Sequence, residues 1–82
     1  MSQNESAATL SFGQKAVGLS FNPSNNTVVD EVKKQYAAII DTMNDLRNDP
    51  IVGEEGKRLA SIAITEAQAA QMWAVKAITW RD

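Results

Sequence analysis

The chain has 82 residues, 44% of them hydrophobic, and a net charge of -2, with neither cysteine nor histidine. A domain of this size buries only about 60% of its unfolded surface, so a metal, a disulfide or a partner subunit commonly completes it. The absent residue types exclude a disulfide and the soft and imidazole metal ligands, leave no metal or cofactor expected, and make oligomerisation the remaining route to stability.

In chain order, residues 1–11 are mostly small and polar and read as a flexible N-terminus, ahead of one folding unit over residues 12–82. They show no basic stretch leading into an apolar run, and no later run approaches the roughly 18 apolar residues of a membrane span. The expectation is therefore a soluble, intracellular protein with no membrane partner. Residues 10–26, LSFGQKAVGLSFNPSNN, hold glycines at 13 and 18, a proline at 23 and no regular periodicity, so they predict an ordered, partly extended arm.

Residues 27–47 carry the clearest helical signal. Val29, Val32, Tyr36, Ile39, Met43 and Leu46 step by three and four, the seam of a helix packed lengthwise on another. Thr27 and Asp30 offer capping oxygens, and Asn48-Asp49-Pro50 ends the helix because proline disfavours helical backbone in the residue before it. A turn through Ile51, Val52 and Gly53 then reverses the chain. Residues 57–80 predict a second helix, preceded by Glu54 and Glu55 where acidic groups complement a helix start. Leu59, Ile62, Ala63, Ala70, Trp73, Ala77 and Trp80 form one stripe, yet Ile64, Ala67, Ala74, Val75 and Ile78 occupy other faces. One partner helix cannot cover a helix that is apolar nearly all round, so the fold class is all-α: an extended arm and an antiparallel two-helix hairpin, assembled into a helical homo-oligomer.

The chemistry narrows the function. The usual general bases and covalent nucleophile motifs are absent, so an enzyme is not expected. Asp41 and Asp45, four apart, form a solvated acidic face and supply too few ligands for a hard cation. The mildly acidic balance argues against a nucleic-acid polymer as partner, since phosphate backbones are met by basic surfaces. Phe21-Asn22-Pro23-Ser24 combines a ring, an amide and a hydroxyl just before a helix whose early turns carry Lys33 and Lys34. An aromatic face that stacks on a base and a lysine that meets phosphate suit a small nucleotide. Equally, Phe21 can act as a hydrophobic staple on the helix with both lysines solvated, and the residues alone leave the two readings open. Lys57, Arg58 and Thr65 form a second cluster, whose cations either solubilise the hairpin tip, pair with Glu54 and Glu55 or, repeated around an oligomer axis, concentrate positive charge for an anion.

FGQKAVGLSFNPS, then a helix, then KRLASIAITEAQAAQMWAVKAITW, resembles the phage anti-CBASS sponge family, whose hairpin domain is shared with sponges acting against Thoeris defence. The likeness covers about residues 12–80. It implies a homo-hexamer of interlocked hairpins that sequesters cyclic dinucleotides of the cyclic GMP-AMP class in the cytoplasm of the infected bacterium, without cleaving them, so that the defence effector receives no signal. The family's stacking aromatic corresponds best to Phe21, its phosphate-binding lysine to Lys33 or Lys34, and Asn22 and Ser24 become polar neighbours of the ligand. Some members also hold cyclic trinucleotides through an arginine and a threonine, here Arg58 and Thr65. The sequence departs from the commoner pattern in having Phe21 where tyrosine is frequent and Leu59 where an aromatic often follows the arginine. The rival from another class is a small helical oligomer that binds a host protein through its helices.

Overall fold

Ser11 begins the first helix. Its hydroxyl accepts from the Gln14 amide at 3.0 Å while the Gln14 side chain accepts from the Ser11 amide at 2.9 Å, a reciprocal capping box. The computed structural model describes residues 9–82, and residues 1–8 of the expected flexible terminus lie outside them. Within the arm, Phe12–Ala16 forms the short helix α1, where partly extended chain was expected. Five residues are too few to show a period, so the capping box is the signal that sets this turn. The arm then bends through Gly18, whose φ of 64° lies in the left-handed region open to glycine.

Helix α2 spans Thr27–Arg47 and has the expected bounds. Its cap is Asn26, whose side-chain oxygen accepts from the Val28 amide at 2.8 Å, rather than Thr27 or Asp30. Asp30 is engaged elsewhere, accepting from Asn22 Nδ2 at 2.9 Å. Helix α3 spans Glu54–Thr79 and starts three residues before the expected position. Glu54 and Glu55 stand in its first turn, where carboxylates offset the exposed amides and outweigh the cost of Gly56.

The described residues are all-helical, with α2 and α3 forming the hairpin and α1 packed on α2. Val17 from the arm, Ala37 and Ile40 from α2 and Ile64 from α3 make the core, with Leu19, Tyr36, Met43 and Ala67 partly buried around it. Helix α1 approaches α2 backbone to backbone. The Gly13 amide donates to Asp41 Oδ1 at 2.6 Å, and a Cβ on Gly13 would collide with the Ala37 carbonyl.

The expected α2 seam is divided. Val29, Lys33, Ala37 and Ile40 form the buried line, whereas Ile39 and Leu46 face outward and are exposed. The physical reason is that α2 packs on two elements, α3 and the arm, which turns its buried line toward Ala37. The Cα trace is 12 Å across its shortest dimension, about one layer of helices. A single layer has two broad faces, whereas a domain usually closes its core between packed layers. Ile39, Leu46, Leu59, Ile62, Met72, Trp73 and Trp80 are all exposed. None of the helices among the described residues is long and apolar enough to cross a membrane.

Candidate functional site

A groove of about 260 Å³ opens where the end of the arm meets the start of α2 and the last turns of α3. The arm contributes Phe21, Asn22, Pro23 and Ser24, α2 contributes Val29 and Lys33, and α3 contributes Val75 and Thr79. Residues four apart share a helix face, so Val29 with Lys33 and Val75 with Thr79 each present one ridge to the groove.

Hydrogen bonds fix the arm segment in place. Asn22 Nδ2 donates to the Asn26 carbonyl at 3.0 Å as well as to Asp30, and Asn22 Oδ1 accepts from the Ser24 hydroxyl at 2.6 Å. Ser24 Oγ in turn accepts from the Asn26 amide at 3.2 Å. Asn25 completes this tight turn with a φ of 56°, a conformation that asparagine tolerates better than most residues. Asn22 and Ser24 therefore hold the turn that presents Phe21, whose ring remains 70% exposed.

Lys33 is the buried counterpart of that ring, at 5% exposure. Its Nζ donates to the Gly18 carbonyl at 3.0 Å and to the Phe21 carbonyl, and it lies 5.6 Å from the centroid of the Phe21 ring. Among the described residues it makes no ion pair. The carbonyls and the ring face stabilise the ammonium without a carboxylate to neutralise it, and attraction between it and an anion that reaches it is stronger away from bulk water. Lys34, on the next position of α2, is exposed and does not line the groove.

The second cluster lies on α3. Arg58 and Thr65 line an open depression of about 350 Å³ together with Ser61, Ile62 and Glu66, and Lys57 is not part of it. Arg58 is bound bidentately by Glu55, at 3.0 and 2.7 Å. The guanidinium holds the Glu55 carboxyl below its usual range, and the carboxylate raises Arg58 in return. Thr65 Oγ1 donates to the Ser61 carbonyl at 3.3 Å. An anion at this depression has to compete with Glu55 for Arg58.

Of the residues singled out in the sequence, Phe21, Asn22, Ser24 and Lys33 thus come together in one groove, and Arg58 and Thr65 share another. Val29, Val75 and Thr79 were not anticipated as lining residues. Only the antiparallel register, which pairs the start of α2 with the end of α3, brings them to the arm.

A protein-family model described as Acb2/Tad1, hairpin domain, matches residues 14–79, from within α1 to the last residue of α3. No curated protein and no solved structure matches the chain. The matched span takes in the groove-forming arm and both long helices, and the chain belongs to the Acb2/Tad1 hairpin family, whose members are anti-CBASS and anti-Thoeris sponges that bind signalling molecules.

Proposed function

We propose that this chain is a phage anti-defence sponge for cyclic dinucleotides of the cyclic GMP-AMP class, which it sequesters intact in the cytoplasm of the infected bacterium so that the CBASS effector stays inactive. The observation that carries this reading is Lys33, a buried ammonium without a carboxylate partner among the described residues, set against an exposed aromatic face. A base stacks on Phe21 and a phosphate approaches Lys33. Stacking contributes about 1–3 kcal/mol per base, and a hydrogen bond to a charged group about 1.5–3 kcal/mol.

Assembly belongs to the same reading. A cyclic dinucleotide has two bases and two phosphates, whereas one groove offers one ring and one ammonium. Two copies meeting at the mouths of their grooves supply both halves of the ligand. The one-layer hairpin, with Trp73 and Met72 each about two-thirds or more exposed, supports a homo-oligomer, which in this reading is a hexamer. Arg58 and Thr65 are the proposed second site, for cyclic trinucleotides, with copies gathered around an oligomer axis to concentrate the charge.

Calorimetric titration of the purified protein with cyclic GMP-AMP tests the reading. Saturable heat supports it. Absence of heat, with the protein folded and assembled, instead favours the rival in which the exposed helix faces bind a host protein.

A further inference from the structure

Ser61 stands between Arg58 and Thr65 on α3, one turn from each, so the three side chains share one ridge of the open depression that they line. The two outer residues are engaged. Glu55 clamps Arg58, and the Thr65 hydroxyl gives its proton to the Ser61 carbonyl, so each has to break a bond before it can donate to an anion. Ser61 does not. Its Oγ accepts from Arg47 Nη1 at 3.3 Å and donates to no acceptor among the described residues. A hydroxyl has a single proton and two lone pairs, so filling a lone pair from Arg47 leaves the proton for a ligand.

Arg47 is the last residue of α2, beside the start of α3 in the antiparallel hairpin and at the opposite end from the groove of Phe21 and Lys33. Its guanidinium is fixed on several sides. Nε donates to Asn44 Oδ1 at 3.0 Å, and Cζ lies 5.1 Å from the centroid of the Phe12 ring. Among the described residues it makes no ion pair. A fixed cation that donates to a hydroxyl polarises it and strengthens it as a donor in turn. Glu66, also lining the depression, opposes an anion there, and the polarised hydroxyl works against that repulsion. We propose that Ser61 is a ligand-binding residue of the second site, donating to a phosphate oxygen of the ligand, and that Arg47 is a positioning residue that holds and polarises its hydroxyl. The inference rests on the reading of this depression as a cyclic-trinucleotide site.

The test is calorimetry with cyclic tri-AMP and with cyclic GMP-AMP, at physiological salt, on the wild type, Ser61→Ala, Arg47→Met and the double variant. Methionine keeps an unbranched chain against Phe12, and at this salt a bare charge is screened within about 8 Å. Ser61→Ala is expected to lose tenfold or more in affinity for cyclic tri-AMP while cyclic GMP-AMP, bound at the other end, stays within twofold. Arg47→Met is expected to cost threefold or more on its own and less than twofold once Ser61 is alanine, the signature of a residue that acts through the hydroxyl. Unchanged cyclic tri-AMP affinity in Ser61→Ala, an equal loss for both ligands, or a variant that no longer folds would overturn the role of Ser61. An Arg47→Met loss as large without the hydroxyl as with it would overturn the positioning role. A wild type that binds cyclic GMP-AMP but not cyclic tri-AMP would remove the second-site reading itself, and this inference with it.

Discussion

Lys33 donates to the carbonyl of Phe21 and also lies 5.6 Å from the centre of its ring, so one residue pair joins the position of the arm to the charge of the groove. Removing the lysine side chain takes away both. Lys33→Ala is expected to weaken cyclic-dinucleotide binding at least tenfold and to lower the melting temperature, because two carbonyls of the arm lose their donor. Lys34→Ala, on an exposed position outside the groove, is expected to leave affinity within twofold and stability unchanged. Calorimetry and thermal unfolding on the two variants read the difference; equal effects would remove Lys33 from its assigned role.

Phe21 separates stacking from polar contact. Its ring is mostly exposed and its backbone is held by Lys33, so shortening the side chain leaves the arm in place. Phe21→Ala is expected to lose roughly tenfold or more in affinity, and Phe21→Tyr to retain it, since the face of the ring makes the contact. Light scattering has to show the same assembly for all three proteins. A Phe21→Ala variant that assembles and binds normally would mean that the ring is only a staple.

The arm is anchored at its other end by Gly13. A methyl group there meets the Ala37 carbonyl, which as helix backbone cannot move without shifting α1 from α2, and, at 2.8 Å, Asp41 Oδ1, whose displacement loses its bond to the Gly13 amide. Gly13→Ala is expected to destabilise the fold by about 1–3 kcal/mol, as overpacking does. Gly56→Ala meets only a side-chain methyl of Val52, in the turn between the long helices, and gains helix propensity, so it is expected to stay within about 1 kcal/mol of the wild type. Denaturant unfolding of the two variants checks the order.

How far the sequence speaks for itself differs along the chain. Helix α2 was readable at both ends because a three-four spacing and Asn48-Asp49-Pro50 are local signals. Helix α1 was not, although Ser11 and Gln14 stand at capping-box spacing, since five residues carry no period. Phe21, Asn22, Ser24 and Lys33 could be grouped from their proximity in sequence, but the burial of Lys33 could not. It depends on two arm carbonyls that turn toward α2 after Gly18 takes a positive φ. Val75 and Thr79 join the groove through the hairpin register, a relation between positions about 50 residues apart that no local pattern records.

Assembly yields its own prediction. Trp73 and Met72 are 70% and 67% exposed on α3, beside Ala69 and Lys76, on a hairpin one layer thick. The wild-type chain is expected to scatter light as a particle several times its 8.9 kDa mass at micromolar concentration, and Trp73→Glu to reduce that mass or fail to fold. A folded wild-type particle of single-chain mass would contradict the oligomer and the two-copy site together.

The most direct measurement of sequestration without turnover is capture and release. Wild-type protein is incubated for a long period with cyclic GMP-AMP, freed of unbound nucleotide by gel filtration and denatured, and the released nucleotide is identified by mass spectrometry. The account predicts that cyclic GMP-AMP travels with the protein in a fixed ratio and is recovered intact. Protein that carries no nucleotide, or that yields the linear dinucleotide, would contradict it.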